Sequence, residues 1–325
     1  SDYGTVIMLS GDEKQRLDSK FDEEALTNAL VRLTSGTEHI VCFTTGHDEL
    51  DPDEDTDTSG LGLAVLKLEG QNYAARKVGL AREGRVPEDC EVVLIANPRV
   101  DLLPGEREMV AAYIAGGGAV VMLFKPLDAP ATTLDLTRYG ITVGQDIVVE
   151  QNPKYSVAGG DPTYIFLDQD SFDFHPITTD LTGGVLLRAA RSIRAAPAIQ
   201  GIEVQELART TEYGWGETDL ATMPITFDET ADLPGPVPLI VVAEVTDPAA
   251  IEIGPTTLGE RTHILDHDAD PASADAELPS DDATPAATTT DDATDHKRAP
   301  GGKLVVFGDV EFASNMLLDQ VGNQD

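Results

Sequence analysis

The first 150 residues alternate between short, fully apolar runs and segments in which apolar residues recur at helical spacing. Apolar runs with β-branched residues predict buried strands, and leucine or alanine at every third or fourth position predicts helices between them. Strand–helix repetition with short links is typical of a parallel sheet with right-handed crossovers. We therefore expect a doubly wound, mostly parallel, flavodoxin-like α/β fold. The predicted strands are residues 4–10, 39–44, 74–80, 90–96, 119–124 and 147–150, and the predicted helices are residues 23–34, a segment starting near Ser59, 104–115 and 132–139.

After residue 150 the pattern loosens into additional strands, predicted at residues 163–167, 184–188, 239–245 and 303–307, with a helix over 312–321. Residues 256–299 are rich in Asp, Ala, Thr and Pro and nearly lack large apolar side chains. Such a segment buries too little surface to offset its ordering entropy, so we expect a disordered acidic insertion. Because a buried strand is predicted after it, residues 1–325 are expected to form a single α/β domain.

The charge balance excludes one class of function. The 58 acidic and 22 basic residues give a net charge of −36. Nucleic-acid binding needs lysine and arginine to displace counterions from phosphates, so no nucleic-acid partner is expected, and an anionic membrane surface is an equally poor match. High salt would screen the self-repulsion of so acidic a chain, so we expect a halophilic source.

The two cysteines, Cys42 and Cys90, are too few for a disulfide scaffold or a cysteine-rich metal site. Both occupy apolar strand positions, which predicts buried free thiols. Nothing in the sequence predicts a bilayer-spanning segment or a signal peptide. The chain opens almost directly in a strand and stops abruptly at residues 322–325, so we expect it to be a piece of a longer protein.

Polar residues that follow a predicted strand give the first candidate site. His47 and Glu49 come just after the strand 39–44, at the edge where open α/β sheets bind ligands. A histidine and a glutamate two residues apart could form half of a metal site or an acid–base pair. The alternative is a turn whose polar side chains satisfy backbone groups.

Four other candidates also follow predicted strands: Asn97 and Arg99 after the strand 90–96, and Asp309 and Asn315 after the strand 303–307. They could line the same crevice as His47, or Asp309 could cap a helix while Asn315 fixes a loop. No catalytic residue, metal or cofactor is predicted, because the sequence has neither a Gly-x-Ser-x-Gly elbow nor a phosphate-binding Gly-x-x-x-x-Gly-Lys. Trp215 could stack on a sugar or pack in the core.

A series of short motifs resembles the auxiliary component of gliding-motility-type ABC transport systems. The family's Gly-His-Gly-Glu is here Gly46-His47-Asp48-Glu49, so the histidine and the glutamate remain while one glycine is replaced. The motifs keep their order over nearly the whole chain outside the acidic insertion, at residues 24–36, 41–49, 86–98, 103–108, 113–118 and 306–325.

The resemblance implies a fold similar to class I glutamine amidotransferases without their catalytic cysteine. It also implies an extracytoplasmic domain, anchored by segments absent from this sequence beside an ABC permease or other membrane subunits. The leading hypothesis is a non-enzymatic domain that binds a protein partner or a small-molecule or carbohydrate ligand. Two alternatives stay open: a metal-dependent or acid–base hydrolase using His47 and Glu49, and a structural scaffold with a vestigial cleft.

Overall fold

The computed structural model describes residues 5–11, 13–17, 39–126, 134–155, 161–181, 183–222, 224–256 and 301–318, together with six helical positions between 23 and 33. The helices with defined bounds are α1 (Gly62–Gly70), α2 (Leu80–Glu83) and α3 (Pro104–Ala115). The strands are β1 (Val6–Ser10), β2 (Glu13–Leu17), β3 (His39–Thr44), β4 (Tyr73–Val78), β5 (Cys90–Ala96), β6 (Ala119–Leu123), β7 (Ile141–Val143), β8 (Ile147–Glu150), β9 (Tyr164–Leu167), β10 (Val185–Arg188), β11 (Ile193–Ala195), β12 (Ile202–Arg209), β13 (Gly214–Glu217), β14 (Leu233–Pro234), β15 (Pro238–Val245) and β16 (Lys303–Phe307).

A seven-stranded mixed sheet forms the centre of the molecule, in the order β12-β15-β16-β6-β5-β3-β4. The five strands from β16 to β4 run parallel, and β15 and β12 are antiparallel to their neighbours. The expectation of an α/β fold is confirmed in this form, with more strand and less helix than the sequence pattern predicts. Residues before and after the predicted acidic insertion contribute to this one sheet, and residues 257–299 lie outside the described part of the chain.

Helices pack on both faces of the parallel strands. Alternate strand residues face opposite sides of a sheet, so neighbours in β3 belong to different cores. Cys42 faces the core that contains Met109 of α3, and Val41 and Phe43 face the core that begins with Leu61, just before α1. The additional strands after residue 150 build a further core around Leu187 and Leu239.

The two cysteines correct a prediction. They form a disulfide, with 5.6 Å between the Cα atoms, so the expectation of free thiols is wrong. β3 and β5 are neighbours in the sheet, and the register shifts between Ile40 and Val41, which brings Cys42 beside Cys90. The Arg76 guanidinium on β4 lies 3.4 Å and 3.3 Å from the two sulfurs and pairs with Asp89.

Two further segments differ from the sequence pattern, and Trp215 takes the second of its two expected roles. β1 pairs with β2 in a separate hairpin and does not join the central sheet. The helix predicted over 312–321 is a 3₁₀ turn at Glu311–Ala313 followed by turns to Leu318, and residues 319–321 are outside the described part. Trp215 is 5% exposed and donates a hydrogen bond to Glu217, so it packs inside. In the described ranges we find no helix long and apolar enough to cross a membrane.

Candidate functional site

The carboxyl ends of the parallel strands carry the candidate residues. The loop after β3 is tied to the loop after β5, because the backbone carbonyl of His47 accepts hydrogen bonds from the amides of Arg99 (2.8 Å) and Val100 (3.1 Å). The amide of Leu50 donates to the Ala96 carbonyl at 3.0 Å. These bonds hold the two loops side by side at the sheet edge.

His47 lies between two buried carboxylates. Its Nε2 is 2.7 Å from an oxygen of Glu106, and its Nδ1 is 3.4 Å from an oxygen of Glu49. The backbone amide of His47 also donates to Glu49, at 2.7 Å. The three side chains are 8%, 1% and 2% exposed for His47, Glu106 and Glu49, so the cluster is closed to bulk water.

The electrostatics of this cluster favour a charged imidazole. The hydrogen bond to Glu49 raises the pKa of His47 above the usual histidine value; burial opposes the rise, and the negative charge of Glu106 adds to it. Burial by itself raises the pKa of Glu49, but the hydrogen bonds from the ring and the backbone amide of His47 outweigh burial and hold that pKa low. The arrangement is an imidazolium held by flanking carboxylates.

Glu106 is the residue that sequence reasoning missed. Beyond His47, it accepts hydrogen bonds from the amides of Leu103 (2.8 Å) and Ala81 (3.0 Å). The bond to Leu103 is the glutamate half of a capping box at the start of α3; Leu103 has no side-chain oxygen for the other half, so the sequence signal is limited to Pro104 in the first turn and Glu106 as the third helical residue. Glu106 thus connects the loop after β3, the first turn of α2 and the start of α3.

Asn97 and Arg99 have different environments. Asn97 is 1% exposed, has a φ of +51°, and accepts a hydrogen bond from the Lys125 amide (2.8 Å) through Oδ1. Its Nδ2 is buried without a hydrogen-bond partner among the described residues. Arg99 is exposed, and its guanidinium lies 3.7 Å from Asp48. Asn97 therefore faces inward while Arg99 belongs to the surface.

Asp309 belongs to a second cluster. It is fully buried and accepts hydrogen bonds from the amides of Arg188 (3.0 Å) and Glu311 (2.8 Å). Complete burial raises the pKa of Asp309 to about 7, although both amides favour the charged form. Glu311 in turn pairs with Lys125 at 2.9 Å and with Arg188 at 2.7 Å.

Asn315 joins a loop to a helix. Its Oδ1 accepts the amide of Leu63 in α1 at 2.9 Å, and its Nδ2 donates to the carbonyls of Glu54 and Asp57 at 2.8 Å each. This matches the loop-fixing alternative for Asn315. The structure therefore brings His47 and Glu49 into contact and links Arg99 to them through its backbone, while Asp309 and Asn315 engage other partners. Among the described residues no group of three or more His, Cys, Asp or Glu side chains is suited to hold a metal ion.

Comparison with protein families decides the identity of the chain. The model of a family described as an ABC-type uncharacterized transport system matches residues 39–324. The chain belongs to this family. The predicted resemblance to an auxiliary component of an ABC transport system is thereby confirmed, and this family member carries the His47 cluster and the Asp309 cluster inside the matched region.

Comparison with solved structures concerns the fold. This ABC transport family member is similar to the mmIFT52 N-terminal domain, with 13% identity and a TM-score of 0.51 over 87% of this chain and 92% of that chain. Weaker similarities, which carry no argument, are to a ThuA-like protein from Bacteroides uniformis ATCC 8492 (14% identity, TM-score 0.33, 63% and 76% coverage) and to the exo-β-1,4-mannosidase Op5Man5 from Opitutaceae bacterium strain TAV5 (10% identity, TM-score 0.31, 68% and 33% coverage). Comparison with curated proteins gives no match.

Proposed function

We propose that this chain is a non-enzymatic, extracytoplasmic binding domain of an ABC-type transport system, and that it contacts a protein subunit of that system. The contact surface would be the loop after β5, at the carboxyl edge of the parallel strands. Family membership supports the transport role. The locked His47 cluster supports binding in place of catalysis and is the observation that carries the proposal.

The cluster supports a rigid surface. His47 fixes the neighbouring loop through its carbonyl, and its ring is held by Glu49 and Glu106. On the outer side of that loop, Val100 is 57% exposed and Leu103 is 46% exposed. Apolar side chains on a fixed loop, with a charged Arg99–Asp48 pair at their rim, resemble the composition of protein interfaces.

The hydrolase alternative is less well supported by the same geometry. Both ring nitrogens of His47 lie against carboxylates, so neither faces a substrate as a free base. Asp309, which could have completed a metal site, has both oxygens bonded to backbone amides. A carbohydrate ligand is less favoured than a protein because Trp215, the aromatic residue considered for sugar stacking, is buried.

The disulfide between Cys42 and Cys90 supports the extracytoplasmic location, since structural disulfides persist mainly in oxidising compartments. The domain would be held at the membrane beside the permease. It would belong to the gliding-motility-type subgroup, and its source would be a halophilic organism. We further propose that residues 1–325 form a single domain, with residues 256–299 as an insertion. The order of its five parallel strands, numbered along the chain, is 2-1-3-4-5, which is the flavodoxin-like order and supports a fold similar to class I glutamine amidotransferases.

Co-purification of the chain with the tagged membrane subunits of its transport system tests the contact surface. We expect Val100→Asp and Leu103→Asp to abolish co-purification, because a buried carboxylate without a partner is costly at an interface. Leu66→Asp is the matched control, since Leu66 on α1 is also 57% exposed. Equal recovery of all three variants would refute this surface and favour the scaffold alternative.

A second measurement separates binding from catalysis. His47→Ala should weaken co-purification by loosening the loop and should cause no loss of turnover on ester, amide or phosphate substrates. Hydrolysis by the natural chain that disappears in His47→Ala would overturn the binding proposal in favour of the hydrolase.

A further inference from the structure

Glu311 is a nearly buried carboxylate that pairs with two permanently charged cations. At two other sites one cation is shared by two carboxylates: Lys77 pairs with Asp51 and Asp53, and Lys154 pairs with Asp168 and Asp170. At Glu311 the ratio is reversed, because one carboxylate, 7% exposed, pairs with both Lys125 and Arg188. One carboxylate thus pairs with two cations in a protein of net charge −36.

The second acid of the cluster, Asp309, forms no salt bridge with either cation among the described residues. Asp309 is fully buried, and its two oxygens already accept the amides of Arg188 and Glu311. Burial raises its pKa to about 7, so it is only partly ionised at neutral pH. Asp161 attracts Arg188 electrostatically without forming a hydrogen bond to it.

The Arg188 guanidinium is held in place on one side only. Its Nη1 donates to Glu311 (2.7 Å) and contacts the Met316 sulfur (3.6 Å), and its Cζ lies 5.4 Å from the centre of the Tyr164 ring. Its Nε and Nη2 have no hydrogen-bond partner among the described residues, and neither is a buried atom. These two nitrogens form one edge of the guanidinium, so a pre-oriented, two-donor fork faces solvent.

Such a fork matches one class of ligand group. The Nε and Nη2 protons of arginine run parallel at the spacing of two carboxylate or phosphate oxygens, which allows bidentate binding. Lys125, 37% exposed and paired with the other oxygen of Glu311, adds a second cation on the same carboxylate. The cluster lies just beyond the end of β16, at the sheet edge where α/β folds bind ligands.

We infer that the free edge of the Arg188 guanidinium forms an oxyanion subsite that binds the carboxylate or phosphate group of a ligand, with Lys125 as a neighbouring positive charge. Glu311 and Tyr164 orient the guanidinium, and Asp309 anchors its backbone. The inference does not depend on the protein contact proposed at Val100 and Leu103, which involves a different loop.

Arginine-selective NMR of the chain tests the subsite directly. The Nε–Hε signal of Arg188 is followed while acetate, or in a separate arm inorganic phosphate, replaces chloride at constant ionic strength. We expect a saturable shift of the Arg188 signal and none for Arg85, an exposed arginine paired with Glu88. A response to acetate alone assigns a carboxylate ligand, a response to phosphate alone assigns a phosphate ligand, and a response to both assigns either oxyanion.

Two variants separate recognition from charge. Lys125→Gln leaves the Arg188 signal as the reporter and should weaken the affinity by about threefold, because it removes a neighbouring positive charge without removing a direct hydrogen bond. Arg188→Lys keeps the charge but loses the fork, so it should lose most of the anion-dependent rise in the urea midpoint, whereas Arg85→Lys should keep it. No saturable shift with either anion, or parallel shifts of Arg85 and Arg188, would overturn the subsite.

Discussion

Replacing Glu106 by alanine should destabilise the protein strongly, because this side chain satisfies three donors inside the molecule. The donors are the amides of Ala81 and Leu103 and the Nε2 of His47, at 3.0, 2.8 and 2.7 Å. A buried donor left without its partner costs about 1–3 kcal/mol, and removing one member of a buried ion pair costs about 3–5 kcal/mol. We therefore expect Glu106→Ala to lower the free energy of unfolding by about 4 kcal/mol.

Glu106→Gln separates shape from charge. The glutamine keeps the size of the side chain and one acceptor oxygen, but its amide group would face a donor. We expect a loss of about 2–3 kcal/mol from one unsatisfied contact and the weakened pairing with His47. The control is Glu88→Gln, which removes an exposed ion pair with Arg85 and should cost about 1 kcal/mol or less.

The pH dependence supplies a signature that simple loss of packing would lack. Because the folded state raises the pKa of His47, the cluster stabilises the protein fully below the unfolded histidine pKa and loses this contribution as the pH rises through the folded pKa. Glu106→Gln should reduce that fall in stability, measured between about pH 6 and about pH 8. Ionisation of Asp309 also lowers the free energy of unfolding with rising pH, in the natural chain and in Glu106→Gln alike. The difference between the two pH profiles therefore reports on His47.

Urea unfolding followed by the fluorescence of Trp215, the one tryptophan of the chain, measures both effects. Trp215 is buried, so its emission should change on unfolding. A loss of less than about 1 kcal/mol in Glu106→Ala, together with an unchanged pH dependence in Glu106→Gln, would refute the reasoning that Glu106 joins these segments.

Three other outcomes follow from the structure. Burial raises the pKa of Asp309 to about 7, so ionising this side chain favours unfolding, and the free energy of unfolding should fall as the pH rises from about 4 to about 7. Asp309→Asn should flatten this part of a series of urea midpoints measured against pH. An unchanged slope would contradict a raised pKa for Asp309. The Cys42–Cys90 disulfide closes a separation of 48 residues, so reducing it should lower the free energy of unfolding by about 4 kcal/mol. The stability of a Cys42→Ser/Cys90→Ser variant should not change when reductant is added. If the stability of the natural chain does not change either, the bond is absent. The melting temperature should rise between low and molar salt because screening relieves the repulsion within a net charge of −36, and a flat or falling series would contradict the halophile proposal.

The central strands could be predicted from the sequence because burial on both faces leaves a plain signal. β3, β5 and β16 each contain a continuous apolar run, and the structure gives them the predicted bounds. β12 was not predicted. Its residues include Glu203, Gln205 and Glu206, and register shifts between Glu206 and Arg209 break the alternation that identifies a half-buried strand.

The site was only partly predictable because its contacts are long-range. His47 and Glu49 are neighbours in the sequence, and their pairing could be proposed from spacing. Glu106 reaches His47 across 59 positions, and the Cys42–Cys90 bond depends on β5 lying beside β3 although β4 intervenes in the chain. Nothing local to these residues specifies which strands become neighbours.

The position of β16 has a consequence for how the protein is made. β16 inserts between β6 and β15, yet it is the last strand of the central sheet to leave the ribosome. Until it arrives, β6 and β15 each have an unpaired edge, and the two halves of the sheet cannot join. The central sheet therefore closes only after β16 has been synthesised. Until β16 is inserted, the exposed edges of β6 and β15 are sites at which the nascent chain can aggregate, so the chain needs protection during this interval.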